Sequence, residues 1–195
     1  MKRSVITLSL ISIFILAACN EDSQEVEESP EPVEDTVFNI DEIGEFRTID
    51  DFSLRDETLH LGPFVYNLNS VQTKTGIVDS EDFIQINDSS EEYSYIEIDV
   101  TVQNDSDEKA YFAFSESEIQ FRTDGRYRGI DDRIEHSFKD EFEPHETQDI
   151  KLIYPSDTAP YDVEGLTLKV DDPTDEQGLP LSSGLGMYIY ADELK

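Results

Sequence analysis

Apolar and polar residues alternate with a period of two in several short segments from about residue 58 onward. The clearest segment is 95–103. Its even-numbered residues are apolar and those between them are polar: Ile96, Ile98, Val100 and Val102 against Glu97, Asp99, Thr101 and Gln103. Because strand side chains point alternately to two faces, this pattern predicts a strand with the first set in a core and the second in water. The Asn-Asp-Ser-Asp sequence of residues 104–107 predicts a turn that ends it.

The same pattern predicts further strands at intervals of roughly ten residues. They lie at 64–71, 110–114, 119–122, 126–128, 150–154, 166–170 and 187–190. Asp124-Gly125 is expected to be the turn of a hairpin. Residues 132–143, in which Ile134 and Phe138 are four apart, are expected to hold a helical turn. Short strands separated by turn residues predict an all-β fold, an antiparallel sandwich or barrel.

The first eighteen residues have a different pattern. Lys2 and Arg3 are followed by a mainly apolar stretch, residues 5–18, that ends in small residues. This is the layout of an export signal, and the stretch is shorter than the roughly 20 apolar residues that span a bilayer. A permanent transmembrane helix is the alternative, but the acidic residues that follow favour a signal peptide.

The chain contains one cysteine, and it follows this stretch directly in the sequence Leu16-Ala17-Ala18-Cys19. The sequence resembles the lipobox of bacterial lipoproteins, in which a diacylglyceryl group is joined to the cysteine and the signal peptide is cut just before it. Two acyl chains anchor a protein stably, whereas one does not. We therefore expect cleavage between Ala18 and Cys19 and anchoring in the bilayer through acylated Cys19. The alternative is an unmodified cysteine in a signal peptide that is cut elsewhere.

The chain is strongly acidic, with 46 Asp and Glu against 14 Lys and Arg and a net charge of −32. Loss of residues 1–18, which include Lys2 and Arg3, would make it −34. Such charge excludes nucleic acid as a partner, because nucleic-acid binding requires a basic surface. The spread of carboxylates along the whole chain favours adaptation to high salt or high pH. General acidity for solubility and a specific cation-binding role are the alternatives.

Composition and pattern together divide the chain into five parts. They are a signal peptide, 1–18; the lipidated cysteine with a disordered acidic linker, 19–36; a partly ordered lead-in, 37–57; the β-sandwich, 58–170; and a C-terminal extension with one more strand, 171–195. The linker is rich in Glu, contains no Lys or Arg and is interrupted by proline, which is typical of a solvated, self-repelling segment.

Three stretches of the predicted sandwich carry a family resemblance. They are FVYNL at 64–68, IDVTVQN at 98–104 and FEPHETQDIKLIYP at 142–155. They resemble the telokin-like, immunoglobulin-sandwich domain of unknown function found in lipoproteins of Gram-positive bacteria, which is related to secreted mycobacterial immunoprotective antigens. The resemblance covers about residues 58–170 and implies an immunoglobulin-like antiparallel β-sandwich and an extracytoplasmic address, without catalytic residues. His145 stands where the family commonly has glycine in a Pro-Gly-Glu turn.

Candidate sites are few. His60, His136 and His145 have no spacing that would place two of them on one metal ion, and no nucleophile or phosphate-loop motif is present, so we expect neither an enzyme nor a cofactor. Four tyrosines on predicted strands are the candidate binding patch for a sugar or peptide: Tyr93, Tyr95, Tyr188 and Tyr190. Ordinary packing within the sheet is the alternative, because tyrosine is a common strand residue.

These observations predict a lipid-anchored extracytoplasmic protein that displays a non-enzymatic β-sandwich interaction module to an envelope protein or cell-wall ligand. The alternative is an envelope lipoprotein that handles solutes or cations with its acidic surface.

Overall fold

The computed structural model describes residues 37–53, 58–88, 90–122, 125–156, 165–182 and 187–194. Eleven strands lie within these residues: β1 (Gly44–Ser53), β2 (Leu59–Leu61), β3 (Phe64–Val78), β4 (Glu92–Asn104), β5 (Ala110–Tyr111), β6 (Glu118–Phe121), β7 (Tyr127–Gly129), β8 (Glu141–Phe142), β9 (Thr147–Pro155), β10 (Leu166–Val170) and β11 (Met187–Leu194). A short helix, α1 (Glu81–Ile86), and 3₁₀ turns at Ile40–Glu42 and Phe114–Glu116 complete the described elements.

The strands form one long sheet in the order β7-β6-β10-β11-β1-β3-β4-β9, with β2 on β3, and β5 pairs separately with β8. All of these strand pairings are antiparallel. β1 pairs with β11 at a bulge between Phe52 and Ser53. This pairing joins the two halves of the sheet, β7-β6-β10-β11 and β1-β3-β4-β9. One buried cluster contains side chains of β6 and β10 from one half and of β4 and β9 from the other. The two halves therefore face each other across a common core, and the predicted all-β sandwich is confirmed.

The main core confirms the inward face predicted for β4. Ile96, Ile98, Val100 and Val102 have no measurable exposure and pack with Leu152 of β9 and Leu168 of β10, among others. The hairpin predicted at 124–125 is also confirmed by the pairing of β6 with β7, although residue 124 lies outside the described residues. Gly125 has a φ of 67°, which glycine adopts without strain, and its N–H donates to the carbonyl of Phe121 at 2.9 Å.

The opposite face of β4 is covered at one end by a second apolar cluster, which the alternating pattern did not predict. It combines Tyr93 and Tyr95 of β4 and Ile153 of β9 with Phe83 of α1 and Ile134. Ser80 begins α1, because its hydroxyl accepts a hydrogen bond from the N–H of Phe83 at 3.3 Å. We call this cluster, together with α1 and the segments that carry Ile40 and Ile134, the cap.

The helical turn expected in residues 132–143 is wrong. Ile134 belongs to the cap cluster and forms a bridge with Phe38, whereas Phe138 packs against the main core, so the two side chains do not share one helix face. The segment instead makes a turn in which the N–H of Ile134 donates to the carbonyl of Asp131 at 3.1 Å, and later enters β8.

The sheet extends beyond residues 58–170 at both ends. β1, in the segment expected to be a partly ordered lead-in, lies between β11 and β3 and pairs with both. β11 follows the segment 171–182 and pairs with β10. The described residues all belong to one compact unit, Asp35–Lys195.

Candidate functional site

The predicted anchor lies outside the described residues. Ala18, Cys19 and the acidic linker all precede residue 37. Within the part of the chain that the structure describes, no helix is long and apolar enough to cross a membrane.

Tyr93 and Tyr95 do not form a surface patch. They are 4% and 2% exposed, and their rings stack in the cap with centroids 5.6 Å apart. Phe46 meets both rings edge-on, and Phe83 meets Tyr93 in the same way. For these two residues the structure corrects the binding-patch interpretation and favours ordinary packing, because the cap shields them from solvent. Tyr188 and Tyr190 lie on β11. The structure describes the backbone of this strand but not its side chains, so a binding role for these two tyrosines stays a prediction.

The hydroxyl of Tyr93 donates to Asp131, which is 3% exposed. Arg133 donates to both carboxylate oxygens of Asp131, from Nε and Nη2, each at 2.7 Å. Burial alone would raise the pKa of Asp131, but the hydrogen bonds from Arg133 and Tyr93 outweigh burial and hold that pKa below its usual value. Burial, and then the charge of Asp131, raise the pKa of Tyr93, so its phenol stays protonated and donates.

The same arginine joins three segments of the cap. Its Nη1 donates to the side-chain oxygen of Asn87, which ends α1, at 3.0 Å. Its guanidinium lies 5.2 Å from the ring centre of Phe83 and 5.8 Å from that of Tyr93. The charges of Asp131 and Arg133 thus both have partners within the protein, and these contacts fix the cap on the sheet.

A second charged group lies on the outer face of the sheet beside the cap. Glu97 faces the predicted polar side of β4, but its side chain is only 5% exposed. Its carboxylate is 2.6 Å from the ammonium of Lys74 on β3 and 3.2 Å from that of Lys151 on β9. The prediction that Glu97 lies in water is therefore wrong, because its side chain is almost fully buried and its carboxylate lies between the two lysines.

The described residues also form a groove of about 450 Å³ at one end of the sandwich. Three connections converge there: the β2–β3 turn, the turn that follows β4 and the loop 173–182. The lining residues are Pro63, Ser106, Asp107, Glu108, Lys109, Ala110, Asp175 and Leu181. A neighbouring hollow of about 430 Å³ shares Glu108, Lys109 and Asp175 and adds Glu176 and Gln177. We call the two together the end groove.

Buried Asn104 fixes one wall of the end groove. Its amide nitrogen donates to the carbonyl of Glu108 at 2.8 Å, and its amide oxygen accepts from the N–H and the hydroxyl of Ser106 at 3.1 and 2.8 Å. The N–H of Asp105 donates to the carbonyl of Pro63 at 2.8 Å, which ties this turn to the β2–β3 turn. Asn104 thus holds the predicted Asn-Asp-Ser-Asp turn in place from inside the protein.

The opposite wall is the loop 173–182. Thr174 exchanges two backbone hydrogen bonds of 2.9 Å with Tyr111, and the carboxylate of Asp175 accepts from the N–H groups of Gln177 and Leu179 at 2.9 and 2.8 Å. Gly62 is required beside this loop, because it has a φ of 55° and an added Cβ would lie 2.8 Å from the carbonyl oxygen of Leu181. Both walls are therefore held by hydrogen bonds within the protein.

His145 occupies the turn before β9 with a φ of 60°, in the left-handed region that glycine favours. Its ring nitrogen lies 3.0 Å from a carboxylate oxygen of Asp107, a residue that lines the end groove. The turn thus keeps a glycine-like backbone although a histidine fills it. Among the described residues, no group of three or more His, Cys, Asp and Glu side chains is arranged to hold a metal ion.

Comparisons with known proteins yield similarity of fold. No protein-family model and no curated protein matches the chain. A functionally unknown protein from Listeria monocytogenes EGD-e is similar in structure, with 14% identity over 76% of this chain and 87% of that chain and a TM-score of 0.55. A conserved hypothetical protein from Bacillus anthracis has 13% identity over 66% of this chain and 93% of that chain, with a TM-score of 0.43. The chain therefore shares an all-β fold with an uncharacterised bacterial protein.

Proposed function

We propose that this chain is an extracytoplasmic lipoprotein, anchored through acylated Cys19, that displays its sandwich as a non-enzymatic interaction module. The anchor is supported by the sequence of residues 16–19 and the apolar stretch before it. The resemblance of residues 58–170 to an immunoglobulin-like lipoprotein domain supports the same address. The acidic linker is the spacer in this proposal, and the sixteen residues 20–35 within it would reach up to about 50 Å if extended.

The end groove is the single observation that supports an interaction module best. Loops at the end of a sandwich are its usual recognition surface, because a rigid scaffold positions them. Here three loops from different parts of the chain converge and are fixed by buried Asn104 and by backbone pairing of Thr174. A groove with preformed walls loses little conformational freedom when a partner binds.

The buried charges support a role without catalysis. Asp131 is saturated by Arg133 and Tyr93, and Glu97 is held between two lysines. Acid–base catalysis requires a titratable group within reach of a substrate. These two carboxylates are instead engaged in contacts that hold the sheet and the cap together.

Fractionation of cells that express the full chain tests the anchor. The wild-type protein should be found in the membrane fraction and should carry an acylated N-terminal Cys19 by mass spectrometry. Cys19→Ala should accumulate as unprocessed precursor, whereas the matched linker variant Ser29→Ala should behave as wild type. An exported protein with an unmodified thiol would refute the anchor.

A further inference from the structure

The floor and rim of the end groove differ in character. Pro63, Ala110 and Leu181 contribute apolar surface, and Leu181 is 36% exposed. Leu179, two residues earlier in the same loop, is 61% exposed. Five large apolar side chains are exposed among the described residues, and two of them belong to this one loop. An ordered loop that places leucines in water beside a concavity is typical of a contact surface.

The rim of the end groove is acidic. Asp107, Glu108, Asp175 and Glu176 line it. The basic residue in the lining is Lys109, and its ammonium is already 2.8 Å from Glu141 and 2.9 Å from Glu143. Within the described part of the chain, the carboxylates of Glu108 and Glu176 have no ion pair. The rim therefore keeps an excess of negative charge after the pairing inside the protein is complete.

We propose that the end groove binds a basic, amphipathic peptide segment of an envelope partner. This inference rests on the proposed function and adds the chemistry of the partner. An apolar side chain of the segment packs against Leu179 and Leu181, while flanking lysine or arginine side chains meet Glu108 and Glu176. A second copy of this chain does not fit the rim, because its own charge is strongly negative.

The spacing of the acidic groups favours such a segment over a metal ion. A calcium ion requires six to eight oxygen ligands around one point. No described group of acidic side chains is arranged in that way, and an oxygen of Asp175 is used by backbone N–H groups. Several cationic side chains distributed along a peptide match carboxylates that are spread along a rim, and apolar side chains between them match the floor.

Fluorescence anisotropy with a dye-labelled synthetic peptide that alternates arginine and leucine tests the proposal on the exported chain at about 0.15 M salt. We expect saturable binding by the wild type. The double variant Glu108→Gln/Glu176→Gln should bind at least about tenfold more weakly, which corresponds to about 1.4 kcal/mol. Glu116→Gln/Glu135→Gln removes the same charge from exposed sites outside the groove lining and should bind as wild type.

The apolar part is tested separately. Leu179→Ser should weaken binding several-fold, and Ile77→Ser, a comparably exposed site in β3, should not. A peptide with serine in place of leucine should bind the wild type more weakly than the original peptide. Equal losses in the groove and control variants would overturn the proposal and mean that the peptide responds to overall charge. Absence of saturable binding would also overturn it, whereas the membrane fractionation of Cys19→Ala would still report on the anchor.

Discussion

Glu97 provides the sharpest test of the architecture, because sequence and structure make opposite predictions for it. Its position in the alternating pattern of β4 predicts a side chain in water, where substitution changes stability by about 0.5 kcal/mol. The structure instead buries the carboxylate between Lys74 and Lys151. The side chains of Lys74 and Lys151 are 20% and 47% exposed, so water still reaches them.

The expected magnitudes follow from this geometry. Glu97→Gln keeps the shape of the side chain but removes its charge, and should lower the free energy of unfolding by about 1.5–3 kcal/mol, the range for hydrogen bonds to charged groups. Breaking a fully buried ion pair costs more, about 3–5 kcal/mol, but the two lysines can be partly hydrated. Glu97→Lys adds a third ammonium group beside the other two, and should cost at least as much as breaking a fully buried pair.

Urea unfolding followed by circular dichroism measures these changes, and a double-mutant cycle with Lys74→Met isolates the pair. We expect a coupling energy of at least about 1 kcal/mol. The control is the pair of Lys169 and Glu118, whose closest atoms are 3.5 Å apart and whose side chains are 36% and 41% exposed. Exposed pairs contribute about 0–1 kcal/mol. If Glu97→Lys were as harmless as Glu118→Lys, the assignment of Glu97 to a covered face would be refuted.

Three further predictions concern stability. Asp131→Asn should destabilise the protein by about 3 kcal/mol, because Arg133 loses its charged partner. The folded-state pKa of Asp131 is lowered, so the stability difference between wild type and variant should have its full size above the unfolded pKa near 4 and should shrink as pH falls below it. Urea unfolding at several pH values measures this difference. Thr73→Val should stabilise by about 1 kcal/mol, because the buried Thr73 hydroxyl has no partner among the described residues; a loss of stability would mean that the hydroxyl is bonded. The melting temperature should rise from low salt to about 0.5 M sodium chloride as carboxylate repulsion is screened, and a flat or falling curve would contradict this.

The strands that supply most of the main core, such as β3, β4, β9 and β10, could be predicted from the sequence because one face of each is apolar and buried. Strands β1, β2 and β8 were not predicted. The alternation of β4 correctly placed Ile96, Ile98, Val100 and Val102 inward. Turn residues also marked several strand ends correctly. α1 was missed because it has only six residues, too few for a helical period to show. Its acidic first turn after Ser80 was the one available signal.

The second face of β4 could not be predicted in the same way. A period of two tells which residues share a face, but not what covers that face. Tyr93 and Tyr95 are buried by Ile40 and Ile134, which lie far from them in the sequence, and by α1, which precedes them closely but was missed. The distinction between a tyrosine binding patch and a tyrosine core therefore depended on packing that the local pattern of β4 does not show. The end groove has the same property, since its walls come from residues 62–63, 105–110 and 173–182.

The distribution of basic residues connects the fold with the proposed site. With 14 Lys and Arg against 46 Asp and Glu, each cation neutralises a small part of the negative charge. Lys74 and Lys151 both contact one carboxylate on the sheet, and Arg133 is engaged within the cap. Lys109 lies at the end groove, but its ammonium contacts two glutamates of the segment around β8. These four basic groups are thus placed beside buried or crowded carboxylates that would otherwise destabilise the fold, and the rim of the groove is left negative. A cationic partner would supply there the countercharge that the described residues of the chain do not provide.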